Sequence, residues 1–297
     1  MNAATNTDSY LAALATHRNR LPGDGAPWVR RLRDAGAARF AETGFPTTRD
    51  EYWKYTNVAA LLRQPYAPAP NDVSADAAAL ARKTVFTDLP AHRMVFVNGW
   101  YAPQLSTANA LPDATVGSLA HHLARSDGLE SVLGSAAPAE AHGFAALNAA
   151  FLGDGAYIRV PAGVAIERPI HLVFLAAGAG AHLLIQPRNL IVVEHGAQVA
   201  VIEHYVSLDD AAHLTNAVTE VIAEAGAAVE HYRVQQHGAK ASHIGGLHVR
   251  QGRDSRFTSH AIDLGGLLVR NDLRSTLNDE GAACHLNGLY VVDGRSP

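Results

Sequence analysis

Glu194-His195-Gly196-Ala197, Glu224-Ala225-Gly226-Ala227 and Asp279-Glu280-Gly281-Ala282 repeat one acid-x-Gly-Ala tetrad between β-rich runs. The first interval is 30 residues and the second 55, about twice 28, and a worn copy, Arg250-Gln251-Gly252-Arg253, falls near the missing midpoint. A spacing of this size describes a supersecondary coil that buries its apolar face only by stacking on its neighbours. Gly196, Gly226 and Gly281 would supply the positive φ of each corner.

Working outward, strand-like runs occupy Tyr157 to Val160, Ile170 to Leu175, Asn189 to Val193, Val199 to Val206, Val218 to Ile222, Val229 to Val234, Leu247 to Val249, Phe257 to Ile262, Leu267 to Val269 and Leu289 to Val292. Each coil is expected to hold two strands, one on either side of its Gly-Ala corner. No long helix interrupts them, which removes doubly wound and TIM-barrel folds. A repeat near 28, not 8 to 12, favours a β-helix over a sandwich or jelly roll.

Ahead of the repeat the period is helical. Trp28, Leu32, Ala35 and Phe40 mark one helical stretch within Ser9 to Gly44, with Pro27 at a helix start and Gly44 then Pro46 ending it. Three aromatics crowd into Arg49-Asp50-Glu51-Tyr52-Trp53-Lys54-Tyr55-Thr56, read as a helical lid packed on the rest, followed by helical-looking Val58 to Leu62. Pro65, Pro68 and Pro70 break the chain before an Ala-rich helix, Val73 to Arg82. Met94 to Tyr101 reads as a hairpin turning at Asn98-Gly99. Further helices are expected at Val116 to Ala124 and Ala139 to Leu152. The expected organisation is a helical N-terminal domain (1–92), a connecting α+β region (93–155) and a parallel β-helix (156–297), incomplete at its C-terminal end.

With 297 residues, 48% apolar, 18% charged and a formal charge of −4, the chain is globular and lacks the basic footprint of a nucleic-acid binder. The window His171 to Ile185 is too short and polar to span a bilayer. Met1 to Arg20 shows no secretory signal, and the single cysteine, Cys284, excludes an internal disulfide, so a cytoplasmic location is expected.

Catalytic spacings are sought in vain. The chain has sixteen histidines but no His-x-His and no His-Glu-x-x-His, and its three lysines sit in no P-loop. Gly-x-Ser-x-Gly is absent. Glu203-His204 and Glu230-His231 are read as a cross-coil ladder of paired polar side chains. Cys284 and His285, adjacent in a strand, face opposite ways, so they form no nucleophile–base pair and remain only weak metal candidates. No catalytic or cofactor-binding residue is assigned.

The string Arg49 to Thr56, Val95-Phe96-Val97-Asn98-Gly99 with Pro103 and Leu105-Ser106, Pro187-Arg188-Asn189-Leu190 and Ile202-Glu203-His204-Tyr205-Val206-Ser207 resemble the SufB/SufD family of the SUF iron–sulfur cluster assembly machinery. Gly265 to Asp272 and Leu286 to Tyr290 look like the same family's coil pattern, and Trp53-Lys54-Tyr55-Thr56 points to its D branch. The resemblance implies a right-handed β-helix, mainly β overall, and a non-enzymatic scaffold beside a SufB-like paralogue and the ATPase SufC. It makes Arg49, Glu51, Trp53, Lys54, Tyr55, Thr56 and the corner glycines structural residues. No cofactor is expected to bind this chain firmly; an iron–sulfur cluster would be held only transiently and together with SufB. The family's SufC-docking helices and interface histidine match nothing before Pro297, so neither is carried over. An open strand edge there is expected to favour pairing with another chain, a homodimer included. The alternatives are a β-helix enzyme acting on polysaccharide, which would need a groove with convergent carboxylates, and a homo-oligomeric ligand-binding solenoid.

Overall fold

A computed structural model describes residues 3–63, 65–71, 86, 88–107, 111–125, 128–178 and 182–291. The expected Val73–Arg82 helix lies outside them. Four α-helices are described, α1 (Ala3–His17), α2 (Pro27–Thr43), α3 (Leu119–Arg125) and α4 (Gly143–Ala150). Helix α2 starts with Pro27 in its first turn and ends at Gly44, whose N–H bonds Phe40 O at 2.8 Å. At Gly36 a Cβ would lie 2.6 Å from Ala150 N, so α2 and α4 touch backbone to backbone.

Several helical expectations need correction. Ser9 to Gly44 is two helices separated by a turn, because Gly23, Gly25 and Pro27 interrupt it. Val116 begins in strand β4 (Thr115–Ser118), and only from Leu119 is the chain helical. The Ala139–Leu152 helix shrinks to α4 behind a 3₁₀ turn, with His142 capping its start. Val58 to Leu62 and the Trp53 string form turns and short 3₁₀ segments, Glu51–Trp53 and Leu61–Arg63.

The remaining strands are β1 (Ala67–Pro68), β2 (His92–Val97), β3 (Trp100–Tyr101), β5 (Ala156–Val160), β6 (Ile170–Ala176), β7 (Leu183–Ile185), β8 (Arg188–Val193), β9 (Gln198–Ser207), β10 (His213–Ala223), β11 (Ala228–Gln236), β12 (Ser242–Gln251), β13 (Arg256–Asp263), β14 (Leu268–Leu277) and β15 (Ala283–Tyr290). The β2–β3 hairpin turns at Asn98 (φ 53°) and Gly99 (φ 85°), as expected.

From β5 onward the chain winds as a parallel β-solenoid of about four turns. One sheet stacks β5, β8, β10, β12 and β14; the other stacks β6, β9, β11, β13 and β15. Each coil thus contributes one strand to each sheet, except where β7 and β8 both pair with β10. The last strand, expected from Leu289 to Val292, instead spans Ala283–Tyr290 and includes Cys284 and His285.

A hydrogen-bonded column of corners fixes the register. Gly163 N donates to His195 O at 2.9 Å, Gly196 N to Ala225 O at 2.9 Å, Gly226 N to Arg253 O at 2.7 Å and Asp254 N to Glu280 O at 3.0 Å. The fourth corner residue is therefore Asp254 (φ 54°), not Gly252 of the worn tetrad. Asp tolerates this left-handed conformation better than most residues with a Cβ. At Gly196 (φ 67°) a Cβ would meet nothing within 4 Å. Gly196→Ala should therefore cost only the conformational penalty, about 1–2 kcal/mol, read as a lower urea midpoint with an unchanged slope. Gly281→Ala should cost more, because its Cβ would collide with Asp254 Oδ1.

The solenoid interior near the corners is apolar, with Val199, Val201, Val221, Val229, Val249 and Phe257 in one buried cluster. The helical region covers the outer face of the β10 sheet: Trp53, Phe144 and Leu147 pack with Leu184, Leu214 and Ile244. Asn148 Nδ2 donates to Asn216 O at 2.9 Å, and Asn216 Nδ2 returns a bond to Phe144 O at 2.9 Å. Among the described residues no helix is long and apolar enough to cross a membrane.

Candidate functional site

Along β9, β11 and β13, alternate residues point inward, and away from the corners they turn polar. Glu203, Tyr205, His231, Arg233, Gln235 and Ser259 are all buried there. Glu203 accepts from Tyr205 Oη at 2.6 Å and Thr219 Oγ1 at 2.7 Å, and lies 3.2 Å from His231 Nε2. Burial alone would raise its carboxyl, but these three donors together hold it below the ordinary value. His231 Nδ1 lies 3.0 Å from Ser259 Oγ. With Glu203 ionised, Nε2–H donates to the carboxylate and Nδ1 accepts from the hydroxyl.

This hydroxyl, imidazole and carboxylate are linked as a nucleophile, base and orienting group would be. Their surroundings do not support that chemistry. The void beside them is about 40 Å³, room for a water or two, and Ser259 is buried. The arrangement can hold a proton and order water. Arg233 closes the row through Asp263, at 3.0 Å to both carboxylate oxygens.

The Glu-His pairs are not in register, which corrects the expected ladder. Glu203 pairs with Arg233 and His231 with Val201, while Glu230 pairs with Ala200. Glu203 lies seven residues past Gly196 and Glu230 four past Gly226, an odd difference, so the two carboxylates face opposite sides of a period-two strand. Glu203 and His231 therefore meet inside.

Deeper in the coil, His213, His237 and His243 crowd around Tyr205. Ring centroids are 4.8 Å apart for His213–His237, 5.3 Å for His237–His243 and 4.7 Å for Tyr205–His243. His243 has no hydrogen-bond partner at either ring nitrogen. Burial keeps all three neutral: His213 is pushed down to about 4, and the other two well below the usual value. The high histidine count was the only sequence signal for this group, since inward facing depends on register.

Cys284 packs inward against the apolar cluster next to Phe257, its partner in register. His285 is exposed over Thr258. The two are not brought together. Among the described residues no group of three or more His, Cys, Asp or Glu side chains is arranged to hold a metal ion.

In the motif, Trp53 is buried, stacked on Phe144 at 5.4 Å and covered by the Arg270 guanidinium at 3.9 Å. Arg270 also donates to Thr56 Oγ1 at 2.9 Å and Tyr52 O at 2.7 Å, strapping the segment to β14. Tyr52 and Tyr55 are 79% and 92% exposed, so only one of the three aromatics packs as expected. Arg49, Glu51 and Lys54 are exposed. Arg270→Met should loosen the strap, read as a red shift of Trp53 fluorescence below the global unfolding temperature.

Together these features define a β-solenoid protein with a buried polar interior and a docked helical region. Residues 4–172 match the model for the SufBD protein N-terminal region, and residues 174–296 match that for the SUF system FeS cluster assembly SufBD core domain. The chain belongs to the SufB/SufD family. It is 30% identical to an iron-sulfur cluster assembly SufBD family protein of Synechocystis, over 89% of this chain and 60% of that protein. It is 29% identical to the iron-sulfur cluster assembly protein SufD of Escherichia coli, over 84% of this chain and 56% of that protein. Protein ABCI7, chloroplastic, of Arabidopsis thaliana is 23% identical over 85% of this chain and 53% of its own length. The chain thus spans little more than half the length of these relatives.

Proposed function

We propose that this chain is a non-catalytic scaffold subunit of iron–sulfur cluster assembly, pairing with a SufB-like paralogue and acting beside a SufC-like ATPase in the cytoplasm. The reading rests on membership of the family and on one observation, the parallel solenoid whose strand β15 carries exposed apolar side chains. That strand pairs only with β13 among the described residues, and Leu286, Leu289 and Tyr290 on it are exposed. A partner solenoid could cover those apolar side chains. A second copy of this chain is the homodimeric version of the same contact.

The ATPase would supply the work, because a scaffold changes state only through a partner that binds its two states differently. Any cluster would be held transiently and together with the SufB-like partner, and Cys284 and His285 are this chain's candidate contacts on the pairing strand. The test is co-expression at the length of its relatives with SufB-like and SufC-like proteins, followed by affinity capture. A stoichiometric complex is expected, weakened by Leu289→Lys; a protein that captures neither partner would end the assignment.

A further inference from the structure

Where the helical region meets the outer face of β14, a cavity of about 240 Å³ lies between Arg39, Tyr52, Trp53, His142 and Arg274. It sits outside the polar interior and outside the β15 edge. Two of its lining side chains, His142 and Arg39, carry buried donors that make no hydrogen bond. His142 Nδ1 accepts the Ala145 N–H at 3.2 Å, so the neutral ring keeps its hydrogen on Nε2. That Nε2 is buried with no hydrogen bond; Asp272 Oδ2, 3.4 Å away, is already held by Arg270. Arg39 Nε is likewise buried and unpartnered, although its Nη1 reaches Glu42 at 2.8 Å. Arg274 makes no ion pair among the described residues and lies 6.0 Å from the Tyr52 ring.

The carboxylates at the cavity are committed or solvated. Asp50 Oδ2 accepts from Thr47 N at 2.6 Å and Thr47 Oγ1 at 3.1 Å, and Glu51 is exposed at the rim. Burying a donor without a hydrogen bond costs about 1–3 kcal/mol, and the two side chains that carry such donors, His142 and Arg39, line the same cavity as Arg274. We propose that this cavity binds a small tetrahedral oxyanion of the phosphate class, accepting from His142 Nε2–H, Arg39 Nε–H and the Arg274 guanidinium. Because those groups come from α2, from the cap of α4 and from β14, the anion would fasten the helical region to the solenoid.

The test is thermal unfolding and titration calorimetry with inorganic phosphate, against potassium chloride and potassium acetate at matched ionic strength. Phosphate should raise the unfolding midpoint saturably, and chloride should not. Arg274→Ala and His142→Asn should each weaken phosphate binding by about tenfold or more, the loss of one charge-assisted hydrogen bond. Arg274 is exposed and Asn preserves the helix cap, so both variants should fold. Arg253→Ala, at an exposed corner, should bind as the parent does. An equal shift in chloride, a response to acetate alone, or binding untouched by both substitutions would overturn the proposal and leave the cavity to ordered water.

Discussion

Lowering the pH from about 7 to about 5 should unfold this chain cooperatively, because its buried histidines are neutral when folded and charged when unfolded. Burial is the first cause in every case. It holds His142 and His213 at about 4 and His171 and His248 at about 3, lowers His204, and takes His237 and His243 well below the ordinary value. Neighbouring cations add to it, as with Arg93 beside His171 and Arg188 beside His248. The folded values lie below the unfolded value of about 6.5. The stabilising contribution is therefore complete above that pH and lost as pH falls through the window from about 6.5 toward 4, where only the unfolded chain takes up protons.

Each ring contributes roughly 1.4 kcal/mol per pH unit inside the window. The four rings with assigned values alone reach roughly 5.6 kcal/mol per unit, comparable with the low end of a domain's whole stability. Asp154 works the other way, since burial raises its carboxyl and the folded state takes that proton first. It is one group against seven. Urea unfolding followed by circular dichroism at a series of pH values should show the loss. His171→Phe, which preserves the stack with Phe86 and His204, should reduce the slope by about one proton. Stability that stays flat down to pH about 5 would remove the buried-neutral assignment.

The same histidines mark the limit of what sequence could convey. The Gly196, Gly226 and Gly281 corners were legible because a positive φ constrains residue type directly, and the two strands per coil followed from the spacing between them. The fourth corner is not legible as a glycine, because Asp254 takes the same conformation without the glycine signal. Inside and outside were harder still. One residue of slip exchanges the faces of a strand, and the coil lengths from Gly163 to Gly281 shrink through 33, 30, 28 and 27 residues. Glu203 and Glu230 consequently ended on opposite faces, and the Glu203–His231–Ser259 row could not be read in advance. The Trp53 string was legible as packing, but which aromatic packs depends on Arg270, more than two hundred residues away.

Glu220→Ala should be the most damaging single substitution at the seam between the two parts of the chain. Glu220, at the centre of β10 and fully buried, accepts from Gly134 N at 2.9 Å, Ala136 N at 3.0 Å, Ala137 N at 3.1 Å and Arg188 at 2.7 Å. Arg188 in turn donates to Asn148 Oδ1 and Ala137 O. Removing the carboxylate leaves a buried guanidinium unpaired, a loss of about 3–5 kcal/mol, and orphans three amides of the 134–137 loop. A double variant separates the two roles. Arg188→Met with Glu220→Leu removes both charges, which for an isolated buried pair is often nearly neutral. Here it should recover only part of the loss, because the loop amides still lack an acceptor. Urea midpoints for the three proteins measure the partition, and hydrogen exchange should rise first at residues 134–137. Full recovery in the double variant would mean the loop finds other acceptors; partial recovery would mean Glu220 holds the helical region to the solenoid through the backbone as much as through its charge.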